Sequence, residues 1–202
     1  MSQSRALADQ IFPREGVAAD AVRIAAATIL LALCAHIVIP LPWTPVPITG
    51  QTFGVLLVGV LLGARRGGLA LVLYLLEGAA GLPVFQPLGL VGPARFLGPT
   101  AGYLISYPVA AFVTGWLVER GSQFVEARAT KSYFAAFSLI GGLISGEAII
   151  FAGGCAWLAV GLGLGWKLAL LQGALPFVPG EVVKIVLIVA AVGGMQFFRR
   201  TP

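Results

Sequence analysis

Charge is scarce in this 202-residue chain: Asp, Glu, Lys and Arg together make up 10% of it, alongside one histidine and two cysteines. A soluble domain carries roughly 25% charged residues. With 58% hydrophobic residues and a mean hydropathy of +0.96, too little polar surface remains to coat a water-soluble globule, and the bilayer becomes the solvent for most of the chain. Cys34 and Cys155 lie in apolar runs without ligand spacing, and His36 stands two residues from the first, so neither a metal centre nor a disulfide framework follows. A packed thiol and a helix-end imidazole are the expected roles. Walker-type phosphate loops, His-Glu-x-x-His, Gly-x-Ser-x-Gly and paired aspartates are all missing, which excludes an ATPase within the chain and argues against an enzyme. Nothing supplies the polar ring or filter of a channel. The apolar runs are continuous rather than alternating, so a barrel is excluded too.

What is present reads as one all-α integral membrane domain over residues 1–202. Apolar runs separated by Gly, Pro and charge predict six helices near 21–39, 51–64, 67–81, 100–118, 133–160 and 168–198. The second and third are short and meet at "GARRGG", which predicts a hairpin of two short helices, with a re-entrant pair as the alternative. The amino-terminal "MSQSRALADQIFPREG" mixes charges of both signs and lacks a signal-peptide pattern, so residues 1–20 are expected to be a cytoplasmic tail. With that end inside, Arg5, Arg14, Arg23, Arg65, Arg66, Arg120, Arg128, Lys131, Arg199 and Arg200 fall on the cytoplasmic side. Only Arg95 and Lys167 fall outside, and Lys184 lies within the last helix. This positive-inside bias predicts both termini in the cytoplasm, and it accounts for the net charge of +5 without nucleic acid. The outer connections, "IPLPWTPVPIT" and "GLPVFQPLGLVGPARFLGPTAGY", are rich in Pro and Gly yet apolar, as loops folded over a cavity would be. Trp43 and Tyr103 are then either interfacial belt residues or pocket walls.

Ionisable residues at membrane depth are the candidates for function. Glu181 and Lys184 in "PFVPGEVVK" are spaced i,i+3, on one helix face, where they can pair or grip one ligand together. A break at Pro179-Gly180 would also place Glu181 in a first helical turn, where exposed N–H groups favour negative charge. The purely structural reading is a helix-start acid beside a snorkelling lysine. Glu77 and Glu147 lack a second acid or histidine at relay spacing, so structural hydrogen bonding is expected of both, with a proton relay as the alternative. Glycines around Glu147, in "GGLISG" and "FAGG", predict close helix packing.

Four segments, "PVPITGQTFGVLLVGVLLG", "GLPVF", "LGPTAGY" and "PFVPGEVVK", resemble in order and spacing the signature segments of the BioY family, biotin-binding S-components of energy-coupling factor (ECF) transporters. The resemblance implies a six-helix S-component fold in the cytoplasmic membrane of a prokaryote, with a biotin pocket near the outer face capped by the first and third loops. It implies ligand contact by Glu181 and Lys184; the family's usual residue at the first is Asp, so Glu181 is longer by one methylene. Some members also carry a polar residue in the glycine-rich third loop and an arginine after the Tyr of "GP-x-x-GY"; here the loop reads "QPLGLVG" and Leu104 follows Tyr103, and Gln86 and Arg95 are the candidate substitutes. Biotin's ureido N–H groups suit a carboxylate such as Glu181, its tail suits Lys184 or Arg95, and Trp43, Tyr74, Phe85 and Tyr103 can supply apolar walls. No cofactor is implied, biotin being the transported ligand. The implied partners are a transmembrane coupling subunit and two nucleotide-binding ATPase subunits. Ala21 and Ala25, four apart in "AVRIA", match the spacing associated with docking the coupling subunit, although an alanine-rich helix produces it easily.

Overall fold

A computed structural model describes residues 16–128 and 133–198. In chain order these form α1 (Val17–Ala35), β1 (Val38–Ile39), β2 (Ile48–Thr49), α2 (Gln51–Ala79), a 3-10 turn (Gly92–Leu97) and α3 (Ala101–Arg128). Then come α4 (Tyr133–Ala156), which runs into a π-helical turn at Trp157–Gly161, α5 (Gly165–Gly173) and α6 (Val178–Phe198). Four of these elements are long and apolar enough to cross a membrane, and a fifth results if α5 and α6, bent by 47° at their junction, form one broken span.

The element α2 is not a rod. Gly63 takes φ 77 and ψ −175, a conformation outside the helical region and open essentially to glycine alone. Residues 51 and 74 would stand roughly 35 Å apart in a straight helix, yet Gln51 Nε2 donates to Tyr74 Oη at 2.8 Å. The chain therefore doubles back at Gly63 into two antiparallel arms, 51–62 and 64–79. Arg65 and Arg66, expected in the turn itself, already belong to the second arm.

Missing side chains bring the helices together. A Cβ at Gly59 would lie 2.6 Å from the Ala111 carbonyl oxygen, and one at Gly115 would lie 2.4 Å from Gly63 C, so α2 and α3 meet backbone to backbone. The glycines near Glu147 pack in the same manner: a Cβ at Gly146 would strike Thr114 Oγ1, and one at Gly153 would strike Gly102 O and Ser106. The interior holds Leu31, Val55, Leu71, Tyr74, Leu104, Tyr107, Ile150 and Leu158. Ile29, Leu33, Leu76, Val109, Ile144, Val183 and Leu187 are exposed, which fits a surface facing hydrocarbon chains rather than water.

The two ends of the bundle differ in charge. At one end Asp20 pairs with Arg23 and Arg66, each at 3.0 Å, and the Ala64 amide donates to Glu119 Oε1 at 3.1 Å. The start of α1, the tip of the α2 hairpin and the second half of α3 thus share that end, where Arg120 also stacks over Trp116 at 4.1 Å. The opposite end carries both Pro-rich loops, Arg95 in the 3-10 turn and exposed Lys167 on α5.

Other boundaries differ from expectation. Helix α1 begins at Val17, inside the expected tail, and stops at Ala35, because residues 38–39 leave it to pair with 48–49 in a short antiparallel ladder. The last apolar run is broken between Gly173 and Val178 around Pro176, whose ring and missing N–H oppose a continuous helix. Arg5, Arg14, Lys131, Arg199, Arg200 and residues 1–15 of the expected tail lie outside the described residues, so their placement remains an expectation.

Candidate functional site

The ladder Val38↔Thr49 and Ile39↔Ile48 closes the base of the first loop, whose prolines at 40, 42, 45 and 47 fix φ, and which turns at Pro42-Trp43, where the Thr44 amide donates to Leu41 O at 3.5 Å, and bends at Pro45-Val46. Thr44 Oγ1 fastens its far side by donating to Gln172 O at 2.7 Å, beside the carboxyl end of α5. Directly after the ladder, Gly50 lets the chain turn against the end of α1, since a Cβ there would lie 2.6 Å from Cys34 O. Helix α2 then opens with Gln51 and Thr52, which face the first turn of α6. Pro179 is tolerated in that turn, where its missing N–H removes no helical bond.

At this junction four residues close a polar network in apolar surroundings. Lys184 Nζ donates to Glu181 Oε1 at 2.7 Å, to Thr52 Oγ1 at 2.7 Å and to Thr49 O at 2.8 Å. Thr52 Oγ1 in turn donates to Glu181 Oε2 at 2.7 Å. All three ammonium protons are thereby used, and both carboxylate oxygens accept a bond. Glu181 and Lys184 are 8% and 13% exposed at the side chain, so the attraction between them is little weakened by solvent. The carboxylate keeps spare lone pairs, which leaves it able to accept from a ligand.

Two cavities meet above this network. An inner one of about 40 Å³ touches Glu181, Gln51, Thr52, Tyr103, Tyr107, Phe151 and Phe177. An outer one of about 220 Å³ lies between the first and third loops and touches Leu41, Thr44, Gln86, Leu88, Arg95 and Pro99. Pro47 and Thr100 border both. Each is below the ~300 Å³ at the small end of ligand pockets. A ligand reaching from one to the other passes the border that Pro47 and Thr100 share.

The expected site residues are distributed unevenly over this geometry. Glu181 and Tyr103 reach the inner cavity and Gln86 and Arg95 the outer one, while Lys184 stands behind Glu181. Trp43, expected as a wall, is 61% exposed and lines neither cavity, because the loop turns its ring outward. Tyr74 and Phe85 line neither as well, being packed behind the site. Tyr74 Oη accepts from Gln51 and donates to Val84 O at 2.9 Å, and Phe85 stacks edge-on between Tyr74 and Phe96. They hold Gln51 and the third loop in place. Arg95 is buried against Phe85, its guanidinium donating to the carbonyls of Gln86 and Leu88, with Nε unpartnered among the described residues. Tyr103 Oη donates to Gly173 O at 2.6 Å, tying α3 to α5. Thr49, Gln51, Thr52 and Tyr107 escaped sequence reasoning. Three polar residues within four positions at the opening of an apolar helix were the available signal.

The model of the family described as the BioY family matches residues 3–200. The chain belongs to the BioY family. Its BioY relatives include the biotin transporter BioY of Rhizobium etli, 43% identical over 166 residues that make up 80% of this chain and 83% of that one. The biotin transporter BioY of Rhodobacter capsulatus is 37% identical over 175 residues, 78% of this chain and 86% of that protein. Among solved structures, the crystal structure of the S-component for biotin from an ECF-type ABC transporter superposes with a TM-score of 0.75 at 27% identity, covering 89% of this chain and 91% of that one. The BioY fold thus agrees in architecture with an S-component. In this BioY chain Leu104 is buried at 2% exposure, and the cation nearest the outer cavity is Arg95.

Proposed function

We propose that this protein is the biotin-binding S-component of a vitamin uptake transporter, a membrane subunit that captures its ligand and does not transform it. The observation that carries the reading is the Glu181–Lys184 pair, held by Thr49 and Thr52 beneath two cavities that the first and third loops enclose. Membership of the BioY family supports the choice of ligand. Biotin's ureido ring matches the acidic inner cavity, its bicycle matches the apolar walls of Tyr103, Tyr107 and Phe177, and its anionic tail matches the outer cavity beside Arg95.

The finer parts of the reading belong to the same proposal. The protein sits in the inner membrane of a prokaryote with six membrane segments, the two α2 arms counted separately and α5 with α6 counted as one. Its termini and the Arg65-Arg66 tip lie in the cytoplasm, the Arg23–Arg66–Arg120 end being the positive one. Transport is driven by a coupling subunit and two ATPase subunits. Ala21 and Ala25 share an exposed face of α1 with Ile29 and Leu33, at four-residue intervals, and small residues there permit close approach of a partner helix. Titration of detergent-solubilised protein with biotin tests the central claim: stoichiometric, unaltered biotin is expected, and absence of binding refutes it.

A further inference from the structure

Glu147 is a buried carboxyl that nothing among the described residues satisfies. It stands midway along α4 at 6% exposure, and neither of its oxygens has a hydrogen-bond partner among the described residues. The structural bonding expected for it is therefore not found. Glu77, by contrast, receives the Thr28 hydroxyl at 3.2 Å, and Glu119 receives the Ala64 amide. A buried polar group without a partner is costly, and an ionisable one inside a membrane segment marks function.

Its position connects it to the ligand site. Ile150 and Phe151, three and four residues further along α4, line the inner cavity. Glu147 therefore occupies the same helix face about one turn deeper. It lies within electrostatic reach of Glu181, Lys184 and Tyr107. Since the inner cavity holds only about 40 Å³, it must widen before a bicyclic ligand can enter.

We propose that Glu147 is the deep polar end of the ligand site, a specificity-determining acceptor for one ureido N–H of biotin. The inference rests on the biotin-binding reading above. The two ureido N–H groups diverge to either side of the carbonyl, so they call for acceptors on two different elements. Glu181 on α6 supplies one and Glu147 on α4 the other. A carboxyl accepts in either protonation state. The tail is excluded as its partner, because an anion gains nothing from a second acid and finds Arg95 at the outer cavity.

Biotin and its tail carboxamide are titrated calorimetrically into full-length wild type, Glu147→Gln and Glu147→Leu in detergent, and unfolding temperatures are measured without ligand. Wild type is expected to bind both compounds; failure to bind biotin refutes the biotin reading itself, and this proposal with it. Glu147→Gln keeps an acceptor and should stay within about threefold of wild type, while Glu147→Leu should lose about tenfold or more, equally for both compounds. Ligand-free Glu147→Leu should unfold at or above the wild-type temperature, since a bare polar group has been removed. Unchanged biotin affinity in Glu147→Leu overturns the proposal, whatever its stability, and so does a loss that disappears with the carboxamide. Glu147→Met carries the same comparison should the leucine variant not fold.

Discussion

Replacing Lys184 by Met strands the Glu181 carboxylate in an apolar site, and the size of the effect follows from its surroundings. Solvent reaches only 8% of the Glu181 side chain, so the small values found for exposed ion pairs do not apply. Removing one partner of a buried pair costs about 3–5 kcal/mol. Thr52 still donates to Oε2, which places the expectation at the lower end, about 3 kcal/mol. For a chain of this size each kcal/mol moves the unfolding midpoint by roughly 2–4 °C, giving a fall of about 6–12 °C. Adding Glu181→Leu removes the stranded charge and should return the midpoint most of the way, because apolar replacement of a whole buried pair is often neutral or better. Cys34 and Cys155 are both free and buried, so a thiol-reactive dye reports unfolding directly. Binding behaves differently: each single variant should lose about 10- to 150-fold in biotin affinity, from about 1.5–3 kcal/mol for a lost charge-assisted bond, and the double variant at least as much. Recovery of stability without recovery of binding is the signature. A double variant no more stable than Lys184→Met, or single variants that bind like wild type, would refute the assignment of this pair to the ligand.

Gly63→Ala forces a side chain into a conformation suited to glycine and should cost about 1–3 kcal/mol, seen as a lower unfolding temperature or lost folded yield. Thr44→Val cuts the tie between the first loop and Gln172; at about 0.5–1.5 kcal/mol it should speed biotin release roughly 2- to 13-fold, as measured by chase with unlabelled ligand. Hydrogen exchange across residues 41–49 should slow on saturation with biotin, and identical exchange with and without ligand would rule out a lid in this loop. A cysteine introduced beside Arg65, with Cys34 and Cys155 replaced, should resist impermeant labelling in intact cells, while one beside Leu90 should react.

The apolar runs and the spacing of Glu181 and Lys184 carried much of this architecture in one dimension, because bilayer solvent and helical periodicity both act locally along the chain. The reversal at Gly63 was foreshadowed by "GARRGG" but displaced by two residues, since it is the first glycine whose backbone bends and not the arginines. The break before Glu181, expected at Pro179-Gly180, falls at 174–177, for "ALPF" is as apolar as the helices it separates. Trp43, Tyr74 and Phe85 show the limit most clearly: an aromatic ring in a loop or helix can face a cavity, the core or the lipid, and only tertiary packing decides. Thr49 and Thr52 act through contacts more than 130 and nearly 130 residues away in sequence, to Lys184 and Glu181.

One of the three bonds made by Lys184 ends on the main-chain oxygen of Thr49, at the root of the first loop. No substitution at position 49 deletes that oxygen, so a side-chain scan would pass over the contact unseen. The ammonium group instead senses where the backbone of the loop stands. Any force that draws the loop root away must release a lysine proton from its acceptor, and any ligand that recruits the lysine loosens the root in return. Mechanical position and chemical occupancy are thereby linked through an atom that every residue possesses. An amide-to-ester replacement does not delete that oxygen either: introduced after Thr49 by chemical synthesis, it weakens the oxygen as an acceptor and also removes the Gly50 N–H that donates to Ile37 O at 3.0 Å, so the linkage is the part of its effect that vanishes when Lys184 is replaced by Met.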